Sequence, residues 1–446
     1  MDTSPHPAPP TPPTGRARFR GLGPGLLAAA TGVGAGDLIA TMVAGAEYGT
    51  LLLWAAVLGT GLKLALGEGV GRWHLASGST LLDGWRRLGR WATGFFAAYI
   101  VIWGFVYGAT AMSAVGLPLN ALFGGLPVRG WAMIAGVVGL VLVWLQRYHV
   151  FEKFMTVLVL FKFVSVVSIA VLVAPDLGNL ANGLVPRLPE GSTVYVLGLI
   201  GGVGGTITMA AYGYWMFAKG WRGTGWLSMM RLDNAVGYVM TGIFVVAMLI
   251  VGSTVLFGQN LTQSDSGLLV LGTALGERYG DWARLLFLIG FLAVTSSSLL
   301  GVWNGVSLLF ADLTRTIRLP HGRKADVGAT AVVAGEEAVV EVEPERAAGY
   351  RASAVERSLP FRGYLLWLTF PPMALLFLNK PFGLTLVYGL LGSVFMPFLA
   401  ITLMLLLNSK RIDRDGRSGW LSNLMLGASS ALFLALLVSD LVERFG

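Results

Sequence analysis

Long apolar runs alternate along the chain with short connections rich in basic residues, Gly or Pro. Eleven runs predict eleven helices, at about 22–49, 51–71, 92–117, 130–146, 154–174, 194–218, 235–257, 283–311, 363–379, 383–407 and 420–442. Most reach the roughly 20 residues that cross about 30 Å of hydrocarbon as helix. Two runs are interrupted. The first contains "ATGVGAGDLIA", with Gly32, Gly34 and Gly36 at i, i+2 and i+4. That spacing wraps around a helix instead of lining one packing face. Asp37 follows, a carboxylate near mid-depth that needs a partner or water. The sixth contains "LIGGVGGTITMAAYGYW", where Gly201, Gly202, Gly204 and Gly205 precede Thr206, Thr208 and Met209, followed by Tyr212, Tyr214 and Trp215. Both interruptions predict unwound segments that free backbone N–H and C=O groups beside a cavity.

Composition agrees with a membrane setting. The 446 residues are 55% hydrophobic and 13% charged, against about 25% charged in soluble domains. The net charge of +8 follows topology. With the N-terminus cytoplasmic, 24 of the 32 Lys and Arg fall on the inner side, and within the spans only Lys63 and Lys162 remain. The chain is therefore expected in the plasma (inner) membrane with its C-terminus outside, and the basic excess does not indicate nucleic acid. Absence of Cys excludes disulfides, Fe–S clusters and thiolate metal sites. Residues 1–20 read as a disordered cytoplasmic tail, 21–179 and 180–408 as two five-helix repeats, and 409–446 as a loop and eleventh helix. Within the second repeat, 312–362 reads as a flexible cytoplasmic loop. An odd number of helices per repeat inverts the second against the first. Gly-interrupted helices at corresponding places of such repeats point to a secondary transporter's binding site.

Several stretches resemble the Nramp family of divalent-metal transporters. They are "GPGLLAAATGVGAGDLIATMVAGAEYGTLLLW" (23–54), "HVFEKF" before the fifth span, "FLIGFLAVTSSSLLGVWNG" (287–305) and "FMPFLAITLMLLLNSKRI" (395–412). The resemblance implies an all-α polytopic protein with a LeuT-like fold: a 5+5 inverted repeat plus an eleventh helix, with the first and sixth helices broken. It also locates the departures. The family's metal-binding Asp-Pro-Gly-Asn corresponds to Gly34, Ala35, Gly36 and Asp37, so the leading acid is lost and the trailing Asn becomes an acid. Of Met-Pro-His in the sixth helix, Met209 remains, followed by Ala210 and Ala211. The residue that lends a carbonyl corresponds to Thr206, and the tenth-helix Gln falls at Gly389. The third span keeps Trp103 and Tyr107 but has no carboxylate.

The expected binding set is therefore Asp37, Gly34, Ala35, Gly36, Thr206, Met209, Tyr212 and Gly389, with Asp37, Met209 and Thr206 as metal ligands. Freed carbonyls near 33–35 and water would complete a weak or hydrated divalent site. The four His residues, His6, His74, His149 and His321, lie in predicted tails or cytoplasmic segments, so proton coupling is expected to be absent or altered. Glu47, Glu68 and Asp233 are the remaining candidate relay acids. The expected cargo is a small cation, foremost a divalent metal ion, with no bound cofactor and with oligomeric state open. A small organic cation or amino acid is the alternative, with Tyr107, Tyr212, Tyr214 and Trp215 as cation–π surfaces. A non-transporting sensor on the same fold is a third reading. An enzyme is not expected: no Walker sequence, HExxH or buried His base occurs, and "SSS" at 296–298 reads as packing or cavity lining.

Overall fold

A computed structural model describes residues 11–145, 148–173, 177–202, 204–258, 267–318, 355, 358–378, 381–410, 412 and 414–445. The first span forms two helices, α1 (Pro24–Gly32) and α2 (Ala35–Tyr48). Spans two to five are α3 (Leu53–Ser77), α5 (Arg90–Phe123), α6 (Val128–Leu145) and α7 (Tyr148–Leu172), with the short α4 (Leu81–Leu88) before α5. The sixth span is segmented into α8 (Thr193–Leu197), a π turn (Gly198–Gly202), a 3-10 turn (Ile207–Ala211) and α9 (Tyr212–Ala218). The rest comprises α10 (Leu227–Val255), α11 (Gly267–Tyr279), α12 (Asp281–Arg318), α13 (Leu359–Thr369), α14 (Pro381–Leu407) and α15 (Trp420–Phe445).

Seven described helices are long and apolar enough to cross a membrane: α3, α5, α6, α7, α10, α12 and α14. Three of the other four predicted spans are interrupted for local reasons. The first and sixth are broken into halves. The ninth is cut after α13 by Pro371 and Pro372, which cannot supply backbone N–H groups. The eleventh is the continuous helix α15, whose sequence stays largely apolar through Val438. The expected eleven positions and both breaks are thus present. The outer faces of α6 and α7 expose Val138, Val141, Val157, Val164 and Val171, an aliphatic surface that suits lipid.

α10 packs along both halves of the broken first helix. The approach is backbone to backbone: a Cβ at Gly237 would come within 2.4 Å of the Gly25 carbonyl oxygen, and one at Gly252 within 2.7 Å of that of Met42. On its other side α1 packs against α12 and α7. Helix α12 extends through residues 312–318, which the sequence reading had placed in the loop. Asp312 and Arg315 hold this extra turn, since Arg315 pairs with both Asp312 and Asp83 of α4. Most of the expected 312–362 loop, and residues 1–10 of the tail, lie outside the described residues.

Candidate functional site

The two interruptions meet. α1 stops at Gly32 because Val33 is extended (φ −99°, ψ 101°), and α2 restarts at Ala35. In the sixth span Gly204 and Gly205 take φ of +80° and +89°, the left-handed region that suits Gly and ends a helix. Gly32 lies on this turn. A Cβ there would sit 2.5 Å from the Gly204 carbonyl carbon and 2.6 Å from its oxygen, so the crossing requires Gly at position 32. A Cβ on Gly205 would meet Thr208 Oγ1, the Gly32 Cα and the Met209 side chain. Met209 is therefore beside the crossing, and it is buried.

Both breaks are held by lysines from neighbouring helices. Lys162 of α7 donates to the carbonyls of Ala30 (3.0 Å) and Val33 (3.1 Å) and to Ser297 Oγ of α12 (3.2 Å), with the Ala29 carbonyl at 3.5 Å. Lys63 of α3 donates to the Gly205 carbonyl. Both side chains are buried. An ammonium beside the C-terminal carbonyls of a half-helix is favoured by their summed dipoles and by direct hydrogen bonds. At least one carbonyl expected to serve a transported ion, that of Val33, is thus engaged by the protein's own cation.

Ser298 of α12 donates to the Thr31 carbonyl (3.0 Å) and shares a 2.7 Å hydrogen bond with Tyr107 of α5. Tyr107 stacks on Trp103, with ring centroids 4.5 Å apart and planes at 6°, and meets the edge of Tyr388 at 5.0 Å. This aromatic group joins α5 to α14 beside the first break.

The predicted residues divide. Gly34 faces Ser298 closely, with a built Cβ 2.3 Å from its Oγ. Thr206 is fully buried, and its hydroxyl has no hydrogen-bond partner among the described residues. Its carbonyl accepts from Met209 N–H (3.1 Å) and keeps a second lone pair, so both oxygens can meet a ligand. Ala35, Gly36 and Asp37 lie on α2, but their side chains fall outside the described residues. Tyr212 turns toward α10 and donates to Asp233 (3.0 Å) and to the Met230 carbonyl (3.2 Å). Gly389 faces open space, and its neighbour Tyr388 contacts the aromatic group. Trp215 and Tyr214 bond to Asn304 and Asp312, respectively.

Asp233 and Lys219 fasten the N-terminal end of α1. The Asp233 carboxylate accepts from the N–H groups of Gly23 (2.9 Å) and Gly25 (2.5 Å), as an acid should at a helix N-terminus. Lys219 bonds to the Leu22 carbonyl and pairs with Glu152. Glu68 pairs with Arg72 and Arg231. The sequence reading put His74 in a cytoplasmic segment. The structure places it in the last turn of α3, ahead of a left-handed cap at Gly78, and fully buried against Gly213 and Phe217. Sequence reasoning did not assign Lys162, Lys63, Ser297, Ser298 or Tyr388 to the breaks. The available signal was that Lys63 and Lys162 stand as isolated cations within apolar spans.

Two broken helices that cross inside a bundle of apolar helices define a secondary transporter with the LeuT-like architecture. The fold agrees with a manganese transporter of Eremococcus coleocola, at a TM-score of 0.71, 16% identity and coverage of 97% of this chain and 90% of that one. It also agrees with MhsT in complex with L-phenylalanine, at a TM-score of 0.51 and 13% identity, covering 98% and 100% of the respective chains. A sequence relative is the divalent metal cation transporter MntH of Mycobacterium leprae, 26% identical over 319 residues, which are 66% of this chain and 71% of the relative. The family model described as natural resistance-associated macrophage protein-like matches residues 25–443. The chain belongs to the Nramp family, whose members are membrane transporters and not enzymes.

Proposed function

We propose that the chain carries a small cation, foremost a divalent metal ion, by alternating access, with the ion held where the two broken helices cross. The observation that carries this reading is the buried Thr206 hydroxyl, without a hydrogen-bond partner among the described residues, on the same turn as Met209 and against the Gly32 crossing. A buried hydroxyl without a partner is costly, and a bound ion supplies one. The thioether of Met209 suits softer transition metals, and Asp37, at the start of α2, supplies an anionic ligand. Relatives named as divalent metal cation and manganese transporters support the same cargo. The membrane is the plasma (inner) membrane, with the N-terminus cytoplasmic and the C-terminus outside, as the distribution of basic residues supports. Proton coupling is absent or altered relative to the family, since no carboxylate stands in the third span.

A second reading, transport of a small organic cation or amino acid, is favoured by one observation. Lys63 and Lys162 place two ammonium groups at the breaks, which welcomes a carboxylate and burdens a bare dication. Proteoliposomes holding a metal-quenched dye separate the two. The expected result is Mn²⁺ or Fe²⁺ influx that Asp37→Ala abolishes without loss of folding. Absence of influx for Mn²⁺, Fe²⁺, Cd²⁺ and Mg²⁺, together with thermal stabilisation by an amine or amino acid, assigns the organic cargo instead. Unchanged flux in Asp37→Ala moves the site elsewhere.

A further inference from the structure

One carboxylate oxygen is shared by the two broken helices. Asp233 Oδ2 accepts from the Gly25 N–H of α1 (2.5 Å) and from the Tyr212 hydroxyl of α9 (3.0 Å), while Oδ1 accepts from the Gly23 N–H (2.9 Å). Hydrogen bonds to an ionised acceptor are the strong ones, and these are shielded from water, since Asp233 is fully buried and Tyr212 is 1% exposed.

Neither helix has room to drift at this joint. A Cβ at Gly25 would collide with the Asp233 carbonyl oxygen, so α1 starts directly on α10. The Tyr212 ring is flanked by α3 and α10: a Cβ at Gly71 would lie 2.9 Å from Tyr212 Cε1 and 2.7 Å from Met230 Sδ. The place of Tyr212 in the chain gives the joint its leverage. Tyr212 opens α9 directly after the 3-10 turn Ile207–Ala211, which carries Met209 and follows Thr206. The broken helices are thus joined both where Gly32 crosses Gly204 and at the Asp233 oxygen. Along α1 these joints are seven residues apart, from Gly25 to Gly32, or about 10 Å of helix. Two bodies joined at one point can pivot about it, and a second joint about 10 Å away stops the pivot.

We propose that Tyr212 and Asp233 are positioning residues of the transport site. Their shared oxygen fixes the angle of α9 on α1 and so sets the place of the Thr206 and Met209 ligands, with neither side chain meeting the cargo. Ligand groups tolerate only about 0.5 Å of misplacement, which is why a joint outside the site controls affinity within it. The proposal rests on the cargo ligands assigned above.

Tyr212→Phe removes the hydroxyl and keeps the ring. In proteoliposomes holding a metal-quenched dye, initial Mn²⁺ uptake is measured over a concentration series for wild type, Tyr212→Phe, Met209→Ala and the double variant. Tyr212→Phe is expected to raise the half-saturating Mn²⁺ concentration about 10-fold, with the maximal rate kept within about twofold. Combined with Met209→Ala it should add little, because a ligand already out of place has little left to lose. A purely structural role would instead lower the melting temperature and multiply with the loss from Met209→Ala. Asp233→Asn breaks the same joint from the other side and is expected to raise the half-saturating concentration at least as much. Unchanged half-saturation in either single variant of the joint, or multiplying effects in the double variant, overturns the proposal and leaves metal transport standing. Wild-type protein that takes up no Mn²⁺ overturns the cargo assignment, and this proposal with it.

Discussion

Replacing Thr206 by Val is expected to move stability and function in opposite directions. Val keeps the shape and β-branching of Thr, so the backbone at this position, φ −117° and ψ −102°, is no harder to adopt. What changes is one hydroxyl, fully buried and without a hydrogen-bond partner among the described residues. Burying an unpaired hydroxyl costs about 1–3 kcal/mol in proteins. Relief of that cost should raise the melting temperature of the cargo-free protein by about 2 to 6 °C, at a slope of about 2 °C per kcal/mol for a large chain. The bound state loses an oxygen ligand to a charged ion, worth about 1.5–3 kcal/mol. At 1.4 kcal/mol per decade, half-saturating cargo concentration should rise about 10- to 150-fold. Thr206→Ser restores the oxygen and should restore affinity. The assay pairs melting curves without cargo with initial uptake rates across a concentration series. A more stable Thr206→Val protein with unchanged uptake would assign the hydroxyl no part in binding. A less stable protein would show that the hydroxyl has a structural partner, and the argument for it as a ligand would fail.

Two further substitutions probe the crossing. Gly32→Ala places a methyl 2.5 Å from the Gly204 backbone, which has no side chain to move aside, so the broken helices must separate by about 1 Å. The expected result is a loss of about 1–3 kcal/mol in stability and of about 100-fold in flux, whereas Gly389→Ala, facing open space, should leave melting unchanged. Lys63→Met removes the ammonium from the Gly205 carbonyl at nearly constant length, and should lower stability by about 1–3 kcal/mol in a melting assay. Wild-type stability in that variant would show that the lysine is dispensable to the second break.

The architecture was largely legible because it is written in composition. Span-length apolar runs give the helices, and clustered glycines at Gly32–Gly36 and Gly201–Gly205 give the breaks, since no packing stripe needs that spacing. The geometry of the site was less legible. Lys162 bonds to backbone carbonyls about 130 residues earlier, among other partners, and carbonyls leave no mark on a sequence. Tyr212 follows Met209 by three residues, which suggests a shared face, but its hydroxyl is taken by Asp233 and the Met230 carbonyl of α10, partners that spacing along the chain does not name. At Gly389, matching of flanking residues located the turn of α14 but not the facing side chain, which is Tyr388.

The interruption in the first helix is an opening in chemical terms, yet it is not a free joint. The continuous helix α10 runs beside both pieces, with Gly237 pressed on the Gly25 carbonyl and Gly252 on that of Met42. Contacts that close leave no slack for one half-helix to bend while the other stays. α10 acts as a splint across the gap, so the two pieces travel with it as one lever. A motion of this lever slides α1 over α12 and α7, so the resistance to it is set at that face rather than within the glycine break.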